Sequence, residues 1–155
     1  MSAVHKIMGD FYEDPFDLVA LHSSLEDYEL VYFINRRLNS RFRRCRSDFE
    51  LTSEVSFPIF EWKDEPNNIY WSLVTNNSLS EYSLPRTDLF KGETSYTAHH
   101  LVPERKEVDY FIKVEQPQMN VEADIVKPLQ SIPKIITAYQ VDIDSLKSKN
   151  NLIFL

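Results

Sequence analysis

Apolar and polar positions follow two different rhythms along this chain, and the changes between them set the expected elements. Asp17 to His22, DLVALH, is short, partly alternating and preceded by Pro15, which predicts a strand over 16–22. In SSLEDYELVYFINRRL the rhythm becomes helical, with Leu30, Val31, Ile34 and Leu38 on one stripe. Ser23 stands three residues before Glu26 and Ser24 three before Asp27, and either pair makes a capping box. Asp27 and Glu29 suit the positive end of the helix dipole and Arg36 and Arg37 the negative end, so a helix is expected from 25 to 38.

From Val55 to Val74 the period falls to two around the turn-rich KDEPNN. Pairing Trp62 with Ile69 places Phe60 opposite Trp71 and Pro58 opposite Leu73, on one core-facing side. Pro58 cannot donate to a ladder, which predicts an edge or a bulge there. Residues 76–94 are polar, contain Pro85 and Gly92, and read as a long loop. Ser95–Val102 and Val108–Glu115 then read as a hairpin around PERKE, with Tyr96, Ala98, His100 and Val102 sharing a face with Val108, Tyr110, Ile112 and Val114. Asn120 can cap a helix using Val121, Ile125, Val126 and Leu129, which Pro128 should kink or shorten. A last strand near Ile135–Ile143 follows, and NNLIFL is apolar enough to dock.

Strands clustered between two helices predict an α+β domain spanning 1–155, with a single antiparallel or mixed β-sheet and both main helices on one face. The final strand–helix–strand unit allows a parallel crossover, ferredoxin-like in part.

Composition narrows the class. With 43% hydrophobic and 26% charged residues, the chain matches folded globular proteins. Met1 to Asp14 lacks the basic and apolar run of a secretion signal, and no stretch suits a membrane span, so a cytoplasmic location is expected. One cysteine, Cys45, excludes an internal disulfide and a paired-cysteine zinc site. With two glycines, Gly9 and Gly92, neither a phosphate loop nor a dinucleotide fingerprint can be built, so no nucleotide cofactor is expected. No Gly-x-Ser-x-Gly elbow occurs.

Candidate chemistry concentrates in two places. AHHLVPERKEVDYF holds two histidines, two glutamates and an aspartate. His99 and His100 are adjacent on an expected strand and so diverge, and a zinc site needs three or four converging ligands. Glu104 and Asp109 suit backbone hydrogen bonds that lock the turn better than acid/base work. No metal site, catalytic residue or cofactor is therefore assigned. This stretch also resembles a known signature: LVPERKEVDYFIKVE looks like that of the bacterial IPExxxVDY family, whose name spells Pro103, Glu104, Val108, Asp109 and Tyr110, with Val102 in place of isoleucine. LHSSLEDYELVYFINRRL and IPKIITAYQVDIDSLKSKNNLIF also look like the family, so the resemblance covers most of the chain. It implies a bacterial protein and carries no assigned activity.

The second place is RRLNSRFRRCR. Net charge is −7, yet residues 36–46 contain six arginines and no acid, an island of +6 in an acidic body. Arg36, Arg37, Arg41, Arg43, Arg44 and Arg46 around Phe42 could hold phosphates and stack on bases, while the acidic remainder repels nucleic acid. Arginines beside Cys45 should depress its pKa if it is exposed. The leading expectation is a small non-catalytic protein that binds another protein through the island or the PERKE turn. The alternative is RNA or another polyanion bound by the island. An enzyme built on His99, His100, Glu104 and Asp109 would need a bound metal.

Overall fold

The computed structural model describes residues 16–83, 94–153 and 155, and its centre is a strand with both faces buried. In β1 (Asp17–Ser23), Leu18 and Ala20 point to one core while Val19 and Leu21 point to the other. DLVALH is therefore a nearly continuous apolar run serving two packed faces, not the half-solvated strand that its partial alternation suggested. β1 lies in a six-stranded sheet ordered β10-β1-β9-β6-β5-β2, whose other members are β2 (Arg43–Arg44), β5 (Ile59–Asp64), β6 (Ile69–Thr75), β9 (Tyr110–Glu115) and β10 (Ile135–Val141). All neighbours in it pair antiparallel.

Two further two-stranded sheets form among the described residues, so the single expected sheet becomes three. One joins β3 (Phe49–Thr52) to β4 (Val55–Phe57), the other β7 (Asn77–Ser83) to β8 (Thr94–His100). Part of the stretch read as a loop over 76–94 is thus strand. Residues 84–93, with Pro85 and Gly92, and the segment before Phe16 lie outside the described residues.

Both main helical segments cover one face, as expected. α1 (Asp27–Leu38) buries Leu30, Val31 and Ile34, and its end is closed by Asn39 in the left-handed region at φ 56°. The expected capping box does not form: Glu26 holds the cap position without a side-chain bond, because Ser23 is still part of β1. α2 begins as a π-helical turn, Glu122–Val126, and continues as the α-helical turn Lys127–Gln130. Asn120 Oδ1 accepts the Ala123 N–H at 3.1 Å, the expected cap, and Pro128 sits near the start of the short α-helical part. Val121, Ile125, Val126 and Leu129 are all buried against α1's face of the sheet. β9 and β10 each run antiparallel to β1 between them and hence parallel to one another, so α2 makes the expected crossover.

The opposite face is covered by β3 and β4 through Val55 and Phe57, by Leu101, Val102 and Val108, and by the end of the chain through Leu146 and Leu152. α3 (Asn150–Ile153) carries that last contact, the docking read from NNLIFL. Lys113, only 3% exposed, donates to the carbonyls of Ile153 and Leu155 and pairs with Glu115 at 3.0 Å. A buried ammonium needs those acceptors, and satisfying them fastens the tail to the sheet.

In the β5–β6 hairpin the register is Trp62↔Trp71 and Phe60↔Leu73, two residues from that expected. Asp64 pairs with Ile69, so the turn shrinks to Glu65–Asn68 and closes through Asn68 at φ 54°. A shift of two keeps every side chain on its face, which is why the apolar pattern alone could not set it. Pro58 stands between β4 and β5, where the chain leaves one sheet for another and no ladder donor is needed.

Candidate functional site

The PERKE segment is not a hairpin turn. β8 pairs with β7, whereas β9 pairs with β1 and β6, so the expected pairing of 95–102 with 108–115 does not form. Thr75 stands opposite Tyr110 and Asn77 opposite His100, which leaves residues 101–109 facing the single residue Asn76. Here two paired strands pass from the large sheet into a small one, and the extra residues fold over the corner.

Asn76 holds that corner. It is fully buried, and both of its amide hydrogens, its amide oxygen and its backbone N–H and C=O bond to this segment. Its Nδ2 donates to the carbonyls of Arg105 at 2.8 Å and Val108 at 2.9 Å, while its Oδ1 accepts the Val102 N–H at 2.9 Å. Its backbone N–H and C=O bond Asp109 O and Leu101 N, each at 2.9 Å. Sequence reasoning missed it, since an asparagine in NNS between polar residues carries no signal of burial.

The motif residues each fix a neighbour. Pro103 starts a 3₁₀ turn through Arg105. Glu104 Oε1 accepts both the N–H and the hydroxyl of Ser148, at 2.9 and 2.7 Å. Partial burial raises the Glu104 pKa, but these bonds outweigh it and hold the carboxyl below its ordinary value. Asp109 Oδ2 accepts the Ser23 N–H at 2.9 Å, Tyr110 donates its hydroxyl to Leu25 O at 2.5 Å, and Val108 is fully buried. Burial, then the charges of Asp27 and Glu26, push the Tyr110 phenol well up. Glu104 and Asp109 thus accept main-chain N–H groups, as their residue types suggested. His99 and His100 adjoin one another on β8, and among the described residues no group of three or more His, Cys, Asp or Glu could hold a metal ion.

The arginine island is divided by the fold. Arg36 donates to the Tyr32 hydroxyl at 3.3 Å and Arg37 to the Ser131 hydroxyl at 2.8 Å, both along α1. Arg44 pairs with Asp48, donates to Ile59 O at 3.2 Å and lies 5.7 Å from the centre of the Phe60 ring. Phe42 does not sit among exposed arginines as a stacking surface: it is 4% exposed and packs against Trp71 at 6.1 Å. Arg41, Arg43 and Arg46 are exposed, and among the described residues none of them has a carboxylate partner.

Arg41 and Arg43 line an open groove of about 650 Å³ with Asn39, Glu61, Trp62, Lys63 and Asp64. The loop that presents them is fixed by Asn35, a second residue that the sequence did not reveal. Asn35 Oδ1 accepts the Phe42 N–H at 2.9 Å and the Ser40 hydroxyl at 2.8 Å, and its Nδ2 donates to Phe42 O at 3.1 Å. With Phe42 anchored inward, its two neighbours are turned outward.

Cys45 is partly buried, so the condition under which its neighbouring arginines would depress its pKa is not met. Its pKa is raised, first by burial and then by the charge of Glu61 and a hydrogen bond to it; Arg44 opposes this but does not win. Among the described residues no helix is long and apolar enough to cross a membrane.

Comparison with protein-family models, with curated proteins and with solved structures finds no match to this chain.

Proposed function

We propose that this is a non-catalytic binding protein that engages another protein through the groove beside Arg41 and Arg43. The observation that carries this reading is the contrast between the two candidate regions. At the PERKE corner, Glu104, Asp109 and Tyr110 are already bonded to Ser148, Ser23 and Leu25. At the groove, the exposed Arg41 and Arg43 form no ion pair among the described residues, although Glu61 and Asp64 also line it, and they stand beside a half-buried indole. An arginine–aromatic pairing of this kind is typical of the residues that dominate protein interfaces.

RNA or another polyanion is the second reading, supported by the same unpaired arginines. Three features weigh against it. Glu61 and Asp64 line the groove and repel phosphate, the Phe42 ring is in the core, and the chain carries a net charge of −7. The resemblance to the IPExxxVDY family and a cytoplasmic location fit either reading.

The test is retention from a cell lysate at low salt by the immobilised chain and by its Arg41→Ala/Arg43→Ala variant. A protein held by the first and lost from the second is the expected result. Identical retention by both removes the groove from the account, and recovery of nucleic acid alone replaces this reading with the second.

A further inference from the structure

Resting on the protein-binding reading, we propose that the groove takes an extended acidic segment of the partner, laid beside Lys63 where β5 runs past the end of the edge strand β2. Carboxylates of that segment would meet Arg41 and Arg43, and an apolar side chain between them would meet Trp62.

The edge strand beside the groove is short. β2 contains two residues and pairs Arg43 with Glu61 and Arg44 with Phe60. Cys45 N donates to Ile59 O, so the carbonyl of Ile59 faces β2. Antiparallel alternation turns the main-chain groups of Glu61 and Lys63 the same way. Glu61 meets Arg43, but β2 has no residue paired with Lys63. The N–H and C=O of Lys63 are left for an incoming extended chain, the arrangement by which sheet edges capture peptides.

Charge selects what kind of chain. The groove lining holds Arg41, Arg43 and Lys63 against Glu61 and Asp64. Lys63 and Glu61 pair at 3.2 Å and Asp64 accepts from the neutral Asn67 amide, so neither arginine is ion-paired among the described residues and the lining carries three cations against two carboxylates. A carboxylate pairs with a guanidinium through two parallel bonds, and a peptide can space its acids to avoid Asp64. A nucleic acid strand, charged at every phosphate, cannot. Trp62 stands edge-on to Trp71 at 5.0 Å, which fixes the indole as one wall.

Order costs are low on this side. Asn35 already holds the 40–42 loop with three hydrogen bonds, so the backbone needs little further ordering when Arg41 and Arg43 are engaged and the cost falls on their side chains.

The probe is a labelled nonapeptide alternating glutamate with leucine, followed by fluorescence anisotropy with the full chain at low salt. Saturable binding is expected, weakened about tenfold by Arg41→Ala/Arg43→Ala and progressively by added salt. Arg36→Ala/Arg37→Ala should leave the affinity unchanged. A peptide alternating lysine with leucine should not bind, and Trp62 emission should shift with the acidic peptide in a Trp71→Phe background. The inference is overturned by equal affinity of the groove variant and the parent. It is also overturned if a single-stranded RNA of the same charge binds more tightly and displaces the peptide. Should a lysate partner depend on Arg41 and Arg43 while the acidic peptide fails to bind, this inference falls and the protein-binding reading stands.

Discussion

The side-chain amide of Asn76 donates to the carbonyl of Val108 at 2.9 Å, joining residues 32 apart in the chain inside the protein. Removing that amide strands the carbonyl of Val108 and the N–H of Val102 away from water, and leaves the Arg105 carbonyl with the Val108 N–H alone. Asn76→Ala is expected to cost about 3 kcal/mol, and Asn76→Asp a comparable amount because a carboxylate cannot donate. Thermal unfolding followed by circular dichroism should show a fall of about 10 °C. A shift under about 2 °C would mean that water or a rearranged turn replaces Asn76.

How much of this was legible in the sequence follows from what each residue type signals. β1, α1 and β10 could be read because their apolar spacing is local and strong. The PERKE corner could not, because its closing partner is Asn76, and nothing local marks a polar side chain as buried. The strand pairing of β7 with β8 was hidden because Asn77–Ser83 lies in the polar stretch 76–94, which reads as a long loop. Among site residues, Glu104 and Asp109 behave as their chemistry suggested, whereas Phe42 was misplaced, since one aromatic between arginines reads equally as a surface stack or as an anchor.

Glu104 makes stability depend on acid. Its carboxyl sits below its ordinary value of 4.5 in the folded protein, so its contribution is present above that value and is lost as pH falls through the lowered one. Chemical denaturation at about pH 6 and about pH 3 should show a larger loss in the parent than in Glu104→Gln. Equal losses would show that the Ser148 bonds do not persist in solution.

Tyr110 makes the opposite prediction at alkaline pH. Its phenol is raised above the ordinary value of 10, so the stability it brings is intact below that value and declines as pH rises beyond it. Tyr110→Phe loses the bond to Leu25 O and should cost about 1 kcal/mol at neutral pH. It should also flatten the alkaline decline, measured by denaturation across the range; a variant as pH-sensitive as the parent would contradict this.

Cys45 is expected to react slowly. With its thiol pushed up by burial and by Glu61, less thiolate is present near neutral pH than in a free cysteine. Alkylation by iodoacetamide should lag behind that of a small thiol, and Glu61→Gln should speed it. A parent rate equal to that of the small thiol would show that Cys45 is neither shielded nor influenced by Glu61.

The central claim is a division of labour: the groove binds while the PERKE corner supports the fold. The most direct measurement takes a partner recovered from lysate and compares its affinity for the parent, for Arg41→Ala/Arg43→Ala and for Glu104→Ala, with the melting temperature of each. The account predicts a groove variant that melts like the parent but binds about tenfold more weakly, and a Glu104 variant that melts lower but binds normally. A groove variant that binds normally, beside a Glu104 variant that has lost the partner, would contradict it.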